Sequence, residues 1–413
     1  MKRGLFFILV LAALDIYFYQ GLETITASLS PSIKTAIKIT YIIFVILTLL
    51  SLLAYIWLRW GFRNDFIKYK LIPTWFMKYI VKLFTGLFLF IDDISRLAKW
   101  GIYKFAHLFN YNLADSLVLS RSVSLTKIGM LAATVPIATL GYGILSGAHD
   151  YRIRRIRIKL PHLPASFHGL RIGQLSDIHS GSFFNKKAVA AGVDMLLHER
   201  PDVIFFTGDL VNDTADEVKD YISIFSKLKA PLGIYSTLGN HDYGDYVPWP
   251  SAVAKQQNLK DLCKVHELLG WQLLMNEHKL LTHGTDKIAI IGIENWGLHF
   301  AQYGKLAQAY QNLPEDISVK LLLSHDPSHW DAEVRPKFSD IDIMFAGHTH
   351  GFQFGIEIGS FKWSPVQYQY KQWAGLYQED NQYLYVNRGF GYIGYPGRIG
   401  ILPEITIVEL EKG

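Results

Sequence analysis

The sequence predicts an α/β protein preceded by an apolar helical region, on three observations. Short, branched apolar runs recur between residues 170 and 346, and each stops at a small polar cluster. Amphipathic helical stretches lie between them. The chain is 50% hydrophobic over 413 residues, more than one soluble domain of average composition carries, and the excess sits in the first third.

In the first third, Leu5–Tyr19 and Ile37–Leu58 hold one charge each and Ile128–Gly147 holds none. The second and third runs meet the rough 18–20 residue requirement for a membrane span, and the first reaches across with its flanks. Leu71–Ile91 contains Lys78 and Lys82 and reads either as a fourth span or as an interfacial helix. Ile94–Phe109, with Arg96, Lys99 and Lys104 among aromatics, reads as interfacial. Residues 1–147 are therefore expected to form a membrane region of three or four helices. Lys2 and Arg3 place the N-terminus inside, and the Lys/Arg-rich stretch from Arg59 to Lys127 marks a second cytoplasmic segment. Three spans turn the remainder of the chain outward. Four would return it to the cytoplasm, a placement that Arg152, Arg154, Arg155, Arg157 and Lys159 favour. Ser120–Lys127 faintly resembles a twin-arginine export signal with only one arginine, and the expectation is an outward face.

Residues 148–169, with Pro161, Pro164 and Gly169, form a junction in which Arg152–Leu160 already reads as a strand, so a second domain is expected over 148–413. Leu170–Leu175, Val203–Thr207, Val319–Leu323 and Ile341–Ala346 are buried-strand candidates, and Gly233–Leu238 is strand-like. Val189, Val193, Leu196 and Leu197 mark one helix face, and Val218, Ile222, Phe225 and Leu228 a second. A third, Asn258–Leu269, holds Cys263 and His266 in core or rim positions.

Each of the five strand candidates ends in potential metal ligands: Asp177-x-His179, Gly208-Asp209, Gly239-Asn240-His241-Asp242, Ser324-His325-Asp326 and Gly347-His348-Thr349-His350-Gly351. Loops at the carboxyl ends of strands in an open sheet converge on one crevice, so ligands distant in sequence can meet there. Carboxylates and imidazoles suit Mn, Fe or Zn, and the lack of a thiolate cluster argues against a closed structural zinc site. A carboxylate shared by two ions holds them roughly 3.5–4 Å apart, the spacing that clamps a phosphoryl group, and Asp209 is the candidate bridge. Taken alone, each island is an ordinary polar turn. Their joint occurrence in one order selects the metal site.

These residues resemble the calcineurin-like metallophosphoesterase family, in its membrane-anchored bacterial form, over about residues 150–413. The resemblance implies a four-layer αββα sandwich. It also implies two divalent ions, Mn, Zn or Fe. Position by position, Asp177, His179, Asp209 and His350 would hold one ion, and Asp209, Asn240, His325 and His348 the other. His241 matches the catalytic histidine, which stabilises the transferring phosphoryl group or protonates the leaving oxygen. The implied activity is hydrolysis of a phosphoester or pyrophosphate bond by metal-activated hydroxide. Protein phosphatases carry Asp-Arg soon after the Gly-Asp, whereas this chain reads Leu210-Val211-Asn212-Asp213-Thr214, which speaks against a phosphoprotein substrate. Asp213 and Asp242 are both possible orienting partners of His241. Arg388 is expected to bind substrate in preference to Arg398, the alternative being two solvated hairpin arginines. The aromatic segment Phe352–Tyr377 reads as a strand face in the core, with a lipid or sugar groove as the second reading.

The formal charge of +5 does not point to nucleic acid, because the basic residues cluster beside apolar spans, where anionic lipid is the nearer partner. One cysteine excludes an intrachain disulfide. The expected partners are the bilayer and a phosphorylated small-molecule, nucleotide or lipid-linked substrate, in a bacterial inner membrane. A non-catalytic scaffold of the same fold is the competing class, but such scaffolds usually lose ligands or the catalytic histidine, and here all remain. A transporter is disfavoured because the spans carry few charged or helix-breaking residues.

Overall fold

A computed structural model of the chain describes residues 2–58, 71–109 and 120–413. They fall into two compact units, Met1–Gly141 and Tyr142–Gly413.

The first unit is helical: α1 (Lys2–Thr26), α2 (Pro31–Leu58), α3 (Ile72–Leu108), α4 (Val123–Ala132) and most of α5 (Thr134–Leu145). Among the described residues, four stretches are long and apolar enough to cross a membrane: Phe6–Thr26, Pro31–Ala54, Thr74–Leu108 and Val123–His149. Leu71–Ile91 and Ile94–Phe109, read separately from the sequence, belong to one helix, α3, of 37 residues. At 1.5 Å per residue it is about 55 Å long, against a hydrocarbon core of roughly 30 Å. Part of α3 must therefore lie outside that core. The Arg59–Lys70 part of the basic stretch lies outside the described residues. Arg121 contacts Asp93 at 2.9 Å, and the Ser122 hydroxyl caps α4 by accepting from the Leu125 amide.

Lys78 and Lys82, the charges that made this segment ambiguous, are paired. Asp15 of α1 is buried against the ammonium of Lys82, accepts from the Tyr79 hydroxyl at 2.9 Å, and has Tyr41 of α2 donating to its carbonyl. Lys78 donates to Thr48 on α2 at 2.8 Å. Paired charges with hydrogen-bonding neighbours are the form in which ionisable groups persist at membrane depth. These contacts set α1 and α3 parallel, with α2 antiparallel to both. Asp92 with Ser122, and Phe88 beside Gly129, set α4 antiparallel to α3.

The second unit is built on two six-stranded sheets. The first runs β1 (Arg152–Leu160), β14 (Glu404–Lys412), β2 (Arg171–Leu175), β3 (Val203–Thr207), β4 (Ile234–Thr237), β5 (Gln272–Leu273). The second runs β12 (Gly375–Glu379), β13 (Gln382–Val386), β9 (Ile343–Ala346), β8 (Lys320–Leu323), β7 (Asp286–Gly292), β6 (Glu277–His283). A separate hairpin pairs β10 (Ile356–Ile358) with β11 (Phe361–Trp363). β2, β3 and β4 are mutually parallel, as are β13, β9, β8 and β7. Alternate residues face opposite ways along each strand. Ile172 and Phe205 of the first sheet meet Leu321, Leu323 and Phe345 of the second in one buried cluster. Leu322 and Met344 face outward under Trp330 and Val334. The outer face of the first sheet is covered by Val189, Val193 and Leu196 of α6 (Lys186–His198), by α7 (Ile222–Phe225), and by Leu262 and Val265 of α8 (Ala252–Leu268). The result is the four-layer αββα sandwich. Strands covered on both faces read as unbroken apolar runs, and Val203–Thr207 is buried throughout.

The residues from Val218 to Leu228 do not form one helix. Glu217 accepts from the amides of Asn212, Asp213 and Thr214, which fixes a tight 3₁₀ turn over Ala215–Val218, and only four residues of α-helix come after it. Val218, Phe225 and Leu228 are buried all the same. His266 is buried on α8 with Ser236, and burial pushes its pKa down to about 3, so it is a neutral core residue.

Leu321→Ala, at the sheet–sheet contact, is expected to cost about 2–5 kcal/mol. Leu268→Ala, 68% exposed on α8, should stay within about 0.5 kcal/mol. Denaturant unfolding of the two variants checks the difference.

Candidate metal centre

The site lies where the carboxyl ends of five strands meet. β2 leads into Asp177 and His179, β3 into Asp209, β4 into Asn240, His241 and Asp242, β8 into His325 and Asp326, and β9 into His348 and His350. The loops hold one another directly. The Asp177 amide donates to Gly208 O at 2.9 Å, His179 N to Asp209 O at 3.1 Å, and Gly347 N to His325 O at 2.9 Å. Across the sheets, His348 N donates to the Asp177 carboxylate at 2.9 Å, and Gln174 Nε2 bridges Thr207 Oγ1 and Ala346 O, both at 3.0 Å. A tight approach between loops needs glycine. A Cβ on Gly239 would overlap the Asp209 carboxylate, and one on Gly347 would overlap Ser176 and Asp177.

Two donor sets result. Asp177, His179 and His350 bring one donor atom each within 4.8 Å of one another, and so do Asp209, His325 and His348. In the first, His179 Nε2 faces His350 Nε2 at 3.0 Å, and His350 Nε2 lies 3.2 Å from Asp177 Oδ1. In the second, His348 Nδ1 lies 3.3 Å from His325 Nε2 and 2.8 Å from Asn240 Oδ1. Asp209 Oδ2 joins the sets, 3.5 Å from His179 Nε2 and 3.1 Å from His325 Nε2. His325 Nδ1 lies 2.7 Å from the Thr207 carbonyl, which can only accept. A proton therefore sits on Nδ1, and Nε2, beside Asp209 Oδ2, is the nitrogen that would face an ion. This mixed set of imidazole nitrogens and carboxylate oxygens fits a divalent transition ion.

The backbone there is strained. Asp177, His179, Asp209, His348 and His350 all have φ between 48° and 71°, a left-handed region that residues with a Cβ rarely adopt. Asp242 helps to hold it, accepting from the amides of Asp209, Leu210, Val211 and Gly239. Burial and the Asp209 carboxylate push Asp242 up to about 7, against those four amides, which favour its anion. Burial opposes the charge on Asp209 too, but the imidazoles of His325, His241 and His179 hold its carboxyl well below the usual range.

His241 is half-buried at the edge of the centre. The Asp242 carboxylate is taken up by backbone amides. His241 Nδ1 lies 2.8 Å from the Asn212 carbonyl, and the His241 amide donates to Asp209 Oδ1 at 2.9 Å. Arg388 does not stand where a substrate-binding arginine is expected. It is 2% exposed, and Glu404 at 2.5 Å and Glu357 at 2.9 Å take up its guanidinium, so its place is in the packing of the second unit. Arg398 is the arginine at the centre: Nη2 lies 3.0 Å from His350 Nδ1 and also donates to the carbonyls of Gly389 and Gly391, Nε donates to Gly391 O, and Nη1 to the carbonyls of His350 and Ile401. Asp326, which the sequence offered in its Ser324-His325-Asp326 island, has Oδ2 3.5 Å from His348 Nε2, and Tyr370, for which sequence reasoning gave no role at the centre, has its hydroxyl 2.8 Å from the same nitrogen. Tyr370 and Arg398 reach the centre only through tertiary packing. The aromatic segment divides: Tyr370 and Trp373 are buried, while Phe352, Phe354, Phe361 and Tyr368 are exposed.

Known proteins share this arrangement of sequence. A family model described as "Calcineurin-like phosphoesterase" matches residues 170–352, and one described as "Probable Calcineurin-like phosphoesterase, transmembrane domain" matches residues 2–148. The chain is 31% identical over 290 residues to the uncharacterized metallophosphoesterase YkuE of Bacillus subtilis, covering 69% of this chain and 94% of that one. It is 27% identical over 345 residues to a transmembrane protein with metallophosphoesterase domain of Danio rerio, covering 81% and 71%. It is 29% identical over 289 residues to the UDP-2,3-diacylglucosamine pyrophosphatase LpxG of Chlamydia trachomatis, covering 58% and 83%.

Asp242→Asn keeps the size of the side chain but turns an amide NH₂ toward backbone donors. It should weaken metal binding by about 10- to 100-fold with the circular dichroism spectrum unchanged, and metal titration of the stripped protein checks it.

Proposed function

The chain belongs to the calcineurin-like phosphoesterases, hydrolases of phosphoric esters that use a dimetal centre, and carries a transmembrane domain of its own, and from that membership we propose which residues do the work and on what. Asp177, His179, Asp209 and His350 hold one divalent ion. Asp209, Asn240, His325 and His348 hold the other. The observation that carries this assignment is Asp209 Oδ2, which faces histidines of both sets. Mn, Zn or Fe bound there would supply a water nucleophile near neutral pH and offset charge on the phosphoryl oxygens.

The chain's own groups supply position and a proton. The carbonyl of Asn212 fixes the His241 proton on Nδ1, so Nε2 is the atom that takes up a second proton and delivers it to the leaving oxygen. The amide of His241 on Asp209 Oδ1 ties that ring to the shared carboxylate. Arg398 and Tyr370 orient His350 and His348 from behind. The substrate is a phosphodiester or pyrophosphate carried by a nucleotide or a lipid, a reading supported by the relative whose name makes it a pyrophosphatase of a diacylated nucleotide sugar. A scaffold without activity is disfavoured, since every ligand and His241 is present.

We place the membrane region at residues 1–147 and the catalytic domain at 148–413. With four antiparallel apolar helices, the catalytic domain returns to the side on which α1 starts. With Lys2 and Arg3 that would be the cytoplasmic side of a bacterial inner membrane, the four-span alternative to the outward face expected from three spans. A green fluorescent protein fused after Gly413 should fluoresce in cells. A dark fusion, together with an active alkaline phosphatase fusion made separately at the same position, would contradict this orientation.

Metal-stripped full-length protein should turn over bis(p-nitrophenyl) phosphate or p-nitrophenyl phosphate only after Mn or Zn is restored. His241→Ala should keep both metals and lose about 10²- to 10⁴-fold in kcat, whereas Asp209→Ala should lose metal and activity together. Wild-type rates in either variant would sink the assignment.

A further inference from the structure

The hairpin of β10 and β11 has its two faces reversed relative to the rule for a soluble protein. Cross-strand partners share a face, and the register pairs Ile356 with Trp363, Glu357 with Lys362, and Ile358 with Phe361. The charged pair points into the second unit. Glu357 meets Arg388 at 2.9 Å and Arg154 at 2.6 Å, and Lys362 reaches the Ala374 carbonyl and the ring of Tyr377. The apolar side chains lie on the other face: Ile356 is 46%, Ile358 73% and Phe361 59% exposed, and Trp363 is half-buried. A hairpin facing water would place these side chains the other way round. Phe352 and Phe354, leading into the hairpin, are exposed as well.

The second unit also fixes where this apolar face lies. Arg398 N donates to the carbonyl of Gly143, near the end of α5, at 3.1 Å, and the next residue, Ile399, pairs with Phe354 at the base of the hairpin. Gly147 sits so close to Arg398 O that a Cβ there would collide with it. Thus the end of the last apolar stretch, Val123–His149, and the base of the hairpin are bound to consecutive residues of one loop. Tyr142 and Leu145 on that helix end are themselves exposed.

We propose that the outward face of the hairpin, Ile356, Ile358, Phe361 and Trp363, is a membrane-docking surface that inserts into the bilayer beside the helix by which the catalytic unit is tethered. The lipid acyl and headgroup boundary is its occupant. Apolar side chains flanked by aromatics suit that boundary, and the continuity with α5 brings it within reach. Phe352 lies two residues beyond the ligand His350, so docking would bring this edge of the metal centre close to the bilayer. The proposal rests on membrane anchorage and not on the catalytic reading, so loss of one leaves the other standing.

The test uses the full chain in nanodiscs of phosphatidylcholine with phosphatidylglycerol. In a Cys263→Ser background, Ile358→Cys, Phe361→Cys and, as an exposed apolar control on α8, Leu268→Cys are each labelled with an environment-sensitive nitrobenzoxadiazole. The labels at 358 and 361 should emit to the blue and lose roughly half or more of their intensity to nitroxide-bearing lipid, while the label at 268 does neither. Water-like emission at 358 and 361 would overturn the proposal. So would equal quenching at all three positions, or a blue shift without lipid quenching, which would assign the face to another protein surface. Unchanged circular dichroism in all three variants excludes misfolding as the cause.

Discussion

Both donor sets depend on one buried carboxylate. Asp209 takes the His241 amide on Oδ1 and presents Oδ2 to His179 and His325, while its own amide is held by Asp242 and its carbonyl by the His179 amide. A residue bound from so many sides keeps a left-handed backbone at φ 60° that it would otherwise leave. The neighbouring loop can come this close only because position 239 has no Cβ. The strain at five ligand positions is offset by this mutual bracing, and by the two sheets that hold the strand ends in register.

Much of this was legible in the sequence because the signals were local. A parallel strand buried on both faces has to be a short apolar run, and a ligand at its carboxyl end has to come at once, so Val203–Thr207 with Asp209, or Lys320–Leu323 with His325, can be read directly. What was not legible came from long-range packing. Arg388 and Arg398 stand in similar glycine-rich surroundings, and only the fold sends the first to Glu404 and the second to His350. The partner of His241 is a backbone carbonyl, a group every residue has, so no side-chain pattern could announce it. Tyr370 lies 22 residues from His348 and nothing local links them.

The helical unit shows the same division. Its apolar runs were evident, but Lys78 and Lys82 made one of them ambiguous until Asp15, Tyr41, Tyr79 and Thr48 were placed around them. Hydropathy counts a charge, whereas the fold supplies its partner. In the second unit, Arg398 links the membrane-derived helix end to the metal centre, with its amide on Gly143 and its guanidinium on His350. Anchorage and chemistry therefore share a residue.

The central claim is that one carboxylate is shared by two ions. Anomalous diffraction from crystals of the full chain grown with Mn tests it most directly. The account predicts two peaks roughly 3.5–4 Å apart, with the Asp209 carboxylate touching both. A single peak, or two peaks that do not share Asp209, would contradict it.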